Sequence, residues 1–117
     1  MGLGLQIELE EIEHVVILRI DGRLDASTAP ILERKIDFLI NESHLKIALD
    51  FSHIDYLSSA GMRVLLSESK KMHNKQGKLV LFSINSDVEE ILKMAGFDRI
   101  LNVFPTQKEA LQAFHKK

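Results

Sequence analysis

The chain has no cysteine in its 117 residues. That absence excludes a disulfide framework, a thiol nucleophile and a cysteine-ligated zinc site, and it is compatible with a reducing compartment. Positive charge is not in excess either: 15 Lys and Arg stand against 17 Asp and Glu, a formal charge of −2. Nothing therefore favours nucleic acid as a direct partner, since phosphate backbones call for a basic stripe. No apolar run approaches the ~20 residues needed to cross a bilayer. The N-terminal stretch MGLGLQIELEE lacks the basic n-region and long apolar h-region of a secretory leader. The expectation is a cytoplasmic protein with no membrane partner.

The usual chemical signatures are missing as well. No strand leads into a G-x-G-x-x-G turn, and there is no Walker loop, so no nucleotide cofactor is expected. The 5 histidines, His14, His44, His53, His73 and His115, have no metal-ligand spacing. A nucleophile elbow would need glycine two residues before Ser59, and Leu57 stands there. A phospho-acceptor receiver domain would need acids at the end of the first long strand, where the sequence offers only Asp21 and Asp25, and a Lys closing the fourth, where Ser83 stands. Asp50 and Asp55 read as strand-end and turn residues. No catalytic residue, metal or cofactor is assigned.

What is present is a strongly patterned chain, 45% hydrophobic, of a length that suggests one domain over residues 1–117. Leu5, Ile7 and Leu9 alternate with Gln6, Glu8 and Glu10, the period of a half-buried strand. The run from His14 to Ile20 is a second, more central strand, joined to the first too closely for a crossover helix, so the pair should be an antiparallel hairpin. After Asp21-Gly22-Arg23-Leu24-Asp25, a helix should run from a Ser27 cap to Asn41, with Pro30 in its first turn. Leu45 to Phe51 reads as a third strand. Gly61 to Met72 is helix-like, with Met62, Leu65, Leu66, Ser69 and Met72 on one apolar face and Gly77 at its left-handed end. Leu79 to Ile84 is a fourth strand, and the Ser86 and Glu89 pair has capping-box spacing before a third helix that ends at Gly96. Ile100 to Phe104 is a fifth strand, and Thr106 with Glu109 opens a last helix. The implied fold is α/β: a mostly parallel five-stranded sheet with an antiparallel first strand and four helices.

Between the third strand and its helix lies Tyr56-Leu57-Ser58-Ser59-Ala60-Gly61. Hydroxyls at a helix start can simply cap it, because the first N–H groups lack intrahelical partners. The same place accepts phosphate, because the helix dipole is positive there. On a domain without catalytic equipment, such a hydroxyl is better suited to being modified by another protein than to attacking a substrate.

These residues resemble the STAS domain of bacterial anti-sigma factor antagonists over nearly the whole chain. Gly22-Arg23-Leu24-Asp25 is similar to the family's G-x-L-D turn. Leu49 to Leu57 is similar to its third strand, and Ser58-Ser59-Ala60-Gly61-Met62-Arg63-Val64-Leu65 to its signature loop and helix. The resemblance implies that Ser59, two before the glycine, is the phosphorylated serine, with Ser58 as the other candidate acceptor. The family often has Asp before this serine and Ser or Thr after it, where this chain has Ser58 and Ala60. It further implies partner switching. The unphosphorylated protein would bind an anti-sigma factor that is also a serine kinase, freeing a sigma factor. The kinase would break the complex by phosphorylating Ser59, and a PP2C-type phosphatase would restore it. Asp25 would form part of the contact surface or fix the adjacent turn, and Gly61 would let the partner's backbone approach. Arg63 would be a contact residue, and Met62 either a contact or core. The alternative is a STAS subunit of a membrane transport or lipid-trafficking complex without phospho-switching.

Overall fold

The structure is a computed structural model that describes residues 4–115; Met1 to Leu3, which open the stretch read above for a leader, and Lys116–Lys117 lie outside the described residues. Strands β1 (Leu5–Ile12), β2 (Val15–Leu24), β3 (Lys46–Leu57), β4 (Lys78–Phe82) and β5 (Asn102–Phe104) form one sheet, ordered as in the sequence. The helices are α1 (Ala29–Asn41), α2 (Ser59–Asn74), α3 (Ser86–Met94) and α4 (Gln107–Ala113), with a single 3₁₀ turn at Phe97–Arg99. β1 pairs antiparallel with β2, and β2 to β5 are mutually parallel. The hairpin turns on Glu13 and His14, both at positive φ (54° and 69°), the geometry of a two-residue turn matched to strand twist.

Sequential strand order has a consequence for the layers. Each parallel crossover steps the same way along the sheet, so the right-handed rule sends all the connecting helices to one face. There Leu32, Ile36 and Leu39 of α1, Leu65 and Met72 of α2, and Val88 and Leu92 of α3 meet Val16, Leu18, Ile20, Leu49 and Leu81 of the sheet. α4 is no crossover and folds under the opposite face, where Ala110 meets Val15, Ile17, Ala48, Val80 and Phe82. Only part of that face is covered by this short helix. At the start of that helix Arg19 pairs with Asp50 at 2.8 Å and Glu10 at 2.8 Å, and donates to Gln107 at 2.9 Å.

Several expectations are corrected. α1 begins at Ala29 and Thr28 is its N-cap, because Asp25 rather than Ser27 satisfies the free N–H groups ahead of it. α3 is capped by Asn85, not by Ser86: the Asn85 Oδ1 accepts from the Val88 N–H at 2.8 Å. Asp50 does not end a strand. β3 continues to Leu57 alongside an equally extended β2, and the Asp50 carboxylate accepts the Ser52 N–H at 2.9 Å where the register shifts. Asp55, also read as a turn residue, lies within β3. The left-handed residue after α2 is Gln76 (φ 64°), not Gly77. The Gly77 N–H then closes on the Met72 carbonyl at 2.7 Å and that of Gln76 on His73 at 3.0 Å, a Schellman ending. α1 ends the same way through Ser43 (φ 67°).

Candidate functional site

The ends of β2 and β3 lie side by side, with Arg23 opposite Tyr56 and Leu24 opposite Leu57. From there the two chains diverge into α1 and α2. The Ser58 N–H donates to the Leu24 carbonyl at 2.8 Å, which ties the serine loop to the turn before α1. The G-x-L-D stretch and the serine loop, more than 30 residues apart in sequence, thus form one surface.

The two serines have different tasks. Ser58 is the N-cap of α2, in extended conformation, and its Oγ accepts the Gly61 N–H at 3.2 Å. Ser59 is the first helical residue and is exposed. Among the described residues its hydroxyl makes no hydrogen bond. His53, the histidine nearest in sequence, is engaged elsewhere, with Nδ1 3.1 Å from the Ser52 Oγ. The first turn of α2 contains no acid, whereas α3 has Asp87 and Glu89 there and α4 has Glu109. The positive end of the α2 dipole therefore has no acidic side chain of its own turn to offset it.

Asp25 is held by its own turn. Oδ1 accepts from the Ser27 N–H at 3.0 Å, the Thr28 N–H at 3.1 Å and the Ser27 hydroxyl at 2.8 Å. The Ser27 hydroxyl, ahead of those backbone donors, holds the carboxyl below its ordinary value. Thr28 closes the turn by donating from its hydroxyl to the Arg23 carbonyl at 2.6 Å. Arg23 itself lies 4.7 Å over the Tyr56 ring and 3.8 Å from the Asp25 carboxylate.

Gly61 is buried, and the crowding it relieves lies within the chain. A Cβ there would fall 2.8 Å from Leu57 Cδ1, 3.0 Å from Leu24 Cβ and 3.1 Å from the Leu24 carbonyl oxygen. The glycine lets α2 close onto the strand ends. Met62 is half-buried and packs against the main core. Arg63 is exposed, one turn after Ser59. It borders a shallow groove between the first halves of α1 and α2, lined also by Ala26, Ala29, Pro30, Glu33, Ala60, Val64 and Ser67. The structure thus gathers Asp25, Ser58, Ser59, Gly61 and Arg63 at one end of the molecule, while Met62 turns inward. The groove was not read in the sequence, because Ala26, Pro30 and Ala60 come from two distant segments that only the fold brings together.

The sequence pattern of the family described as STAS domain matches residues 6–110. The chain belongs to the STAS-domain family. This STAS domain is 28% identical over 110 residues to the anti-sigma F factor antagonist of Paenibacillus polymyxa, covering 93% of this chain and 94% of that one. The crystal structure of an anti-sigma factor antagonist from Mycobacterium paratuberculosis superposes with a TM-score of 0.87 at 23% identity, over 96% and 95% of the two chains. SpoIIAA of Bacillus shares the fold in its unphosphorylated form, with a TM-score of 0.78 at 20% identity over 94% and 96% of the chains. It shares it also in its phosphorylated form, at 0.70 and 19% over 93% and 99%. Among the described residues no helix is long and apolar enough to cross a membrane.

Proposed function

We propose that this STAS domain is an anti-sigma factor antagonist, a binding module without catalysis of its own, switched by phosphorylation of Ser59. The observation that carries this is the division between the two serines. Ser58 spends its hydroxyl on the α2 cap, while that of Ser59 is exposed at the positive end of the helix. A kinase can reach Ser59 without opening the fold. The phosphate added would bring ~1.5 to 2 negative charges to a helix start that tolerates them, so the switch would act on the surface and leave the scaffold standing.

The partner's contact surface would be the end of the molecule around that serine: the Asp25 turn, Ser59, Arg63 and the groove between α1 and α2. In the unphosphorylated state an anti-sigma factor that is also a serine kinase would seat there, and its sigma factor would be released. Phosphate at Ser59 would confront that partner with charge and bulk in the middle of the contact, and a PP2C-type phosphatase would reset the surface. Ser58 and Gly61 would serve the switch by building the loop, the first as cap and the second by close packing. Residence in the cytoplasm, where sigma factors act, belongs to the same proposal.

Paired baits test it. Ser59→Ala and Ser59→Asp proteins would be exposed to lysate of the source cell, and captured proteins identified by mass spectrometry. The alanine bait should hold an ATP-binding, kinase-like protein that the aspartate bait loses by at least about tenfold in affinity, or ~1.4 kcal/mol. Identical captures by both baits, or membrane-transport components alone, would remove Ser59 from the switch.

A further inference from the structure

A second polar cluster lies at the seam between α1 and α2 and shares with the serine surface only Glu33, which also lines the groove. Glu68 of α2 is fully buried, at 0% exposure. Its Oε2 accepts from the Lys71 ammonium at 3.0 Å, and the same ammonium reaches Asp37 of α1 at 2.9 Å. Glu68 Oε1 has no hydrogen-bond partner as a carboxylate oxygen. Glu33, also on α1, completes a group whose ligand atoms all lie within 4.8 Å of one another. The sheet face beneath the two helices presents Ile47, Leu49, Leu79 and Leu81, all buried and uncharged. The charged groups facing Glu68 are therefore Glu33 and Asp37 from α1 and Lys71 from its own helix.

With Glu33, Asp37 and Glu68 all ionised around one ammonium, the seam would carry net negative charge and Glu68 Oε1 would be stripped of water without a partner. The cost falls on Glu68, because its side chain is fully buried while those of Asp37 and Lys71 are 38% and 44% exposed. A cation could cancel the charge, but the Lys71 ammonium already bridges Asp37 and Glu68. One proton neutralises Glu68 itself, the one carboxyl of the three that is fully buried, and gives its unpaired oxygen something to do. We propose that Glu68 carries a proton on Oε1 and donates it to the Asp37 carboxylate, so that α1 and α2 are clamped by a shared proton. The transfer is a simple ionisation: the O–H bond breaks on release, the electron pair stays on Glu68, and the proton goes to water.

The titration of the group agrees. Burial first, then Asp37, pushes Glu68 up to about 7 against the opposing pull of Lys71. Asp37 goes the other way. Burial alone would raise it, but the Glu68 and Lys71 hydrogen bonds hold it below its ordinary value. The clamp therefore opens near neutrality. Glu33 lines both this cluster and the groove beside Arg63, so the clamp adjoins that groove. The clamp rests on the seam alone and is independent of which serine is modified.

The direct test is the carboxyl-carbon NMR titration of Glu68 in the full-length protein. A midpoint about two or more pH units above ordinary glutamate is expected, falling back in Asp37→Asn. A midpoint in the ordinary carboxylate range, or one unmoved by Asp37→Asn, would overturn the shared proton. Glu68→Gln, whose amide donates in place of the acid, should remove the loss of thermal stability expected of wild type as pH rises from about 4.5 to about 7. If Glu68→Gln fails to fold, the NMR midpoint of wild type alone decides. A rise in wild-type Tm with millimolar calcium or magnesium that vanishes in Glu68→Gln would make the cluster a cation site and equally overturn the clamp.

Discussion

Ser58 and Ser59 are neighbours with the same side chain and opposite employment. A capping hydroxyl exchanged for a methyl leaves a helix-start N–H without its acceptor, which costs about 1 kcal/mol. Ser58→Ala should accordingly lower stability by roughly that amount, read as a shift of a few degrees in thermal melting. Ser59→Ala should stay within ~0.5 kcal/mol of wild type, because an exposed, unbonded hydroxyl supports nothing. Equal losses in the two variants would mean that both hydroxyls cap. Asp25 belongs beside Ser58 at this scale. Its carboxylate accepts from the Ser27 hydroxyl and from two backbone N–H groups, so Asp25→Ala should loosen the start of α1. Hydrogen exchange at the first α1 amides checks this, with Asp25→Asn, which keeps an acceptor oxygen, losing less.

The elements around the site are arranged by close approach. Gly61→Ala would press a methyl into Leu57 and Leu24, and the nearest backbone atom, the Leu24 carbonyl oxygen at 3.1 Å, is held by its bond from Ser58. Overpacking of that kind costs about 1–3 kcal/mol, and denaturant unfolding measures it. A neutral alanine would show that α2 can shift without loss. How far this region was legible in the sequence follows the same physics. The strand and helix periods gave the element order and the serine loop, because apolar faces repeat. The Thr106 cap of α4 was read correctly, and the starts of α1 and α3 were misplaced because the capping residue was taken to be a neighbouring serine. Asp25 works from three residues before the cap of α1, and Asn85 works from a position that resembles a loop, while its amide also donates to the Ile54 carbonyl at 2.8 Å. The left-handed residue after α2 was hidden for another reason, since Gln76 is not glycine, whereas the end of α1 at Asn41 was read correctly. Glu68 was legible and passed over: it stands three after Leu65 and four before Met72, both buried, and so shares their face.

Over the whole molecule, opposing titrations set the pH range of stability. Burial alone would raise Asp50, but its hydrogen bonds from Ser52 and Arg19 prevail and hold it low, and Asp25 is held low by Ser27. A folded-state value below the unfolded one gives stability that is present above the unfolded value and lost as pH falls through the folded one. Glu68 has the opposite sign. Its folded value, about 7, lies above the unfolded one near 4.5, so stability falls as pH rises between them. The melting temperature should therefore be highest on the acid side of neutrality, and Glu68→Gln should extend that maximum through neutral pH. Melting scans across pH check the shape. A wild-type curve flat from pH 5 to pH 8, within about a degree, would contradict the Glu68 contribution.

The most direct measurement of the central claim is the position of the phosphate. Wild-type, Ser58→Ala and Ser59→Ala proteins would be incubated with the kinase recovered on the alanine bait and ATP, and the modified residue mapped by tandem mass spectrometry. Phosphate on Ser59 in wild type, kept in Ser58→Ala and lost in Ser59→Ala, is the result predicted by a capping Ser58 and a free Ser59. Phosphate on Ser58, or persistence of modification in Ser59→Ala, would contradict it.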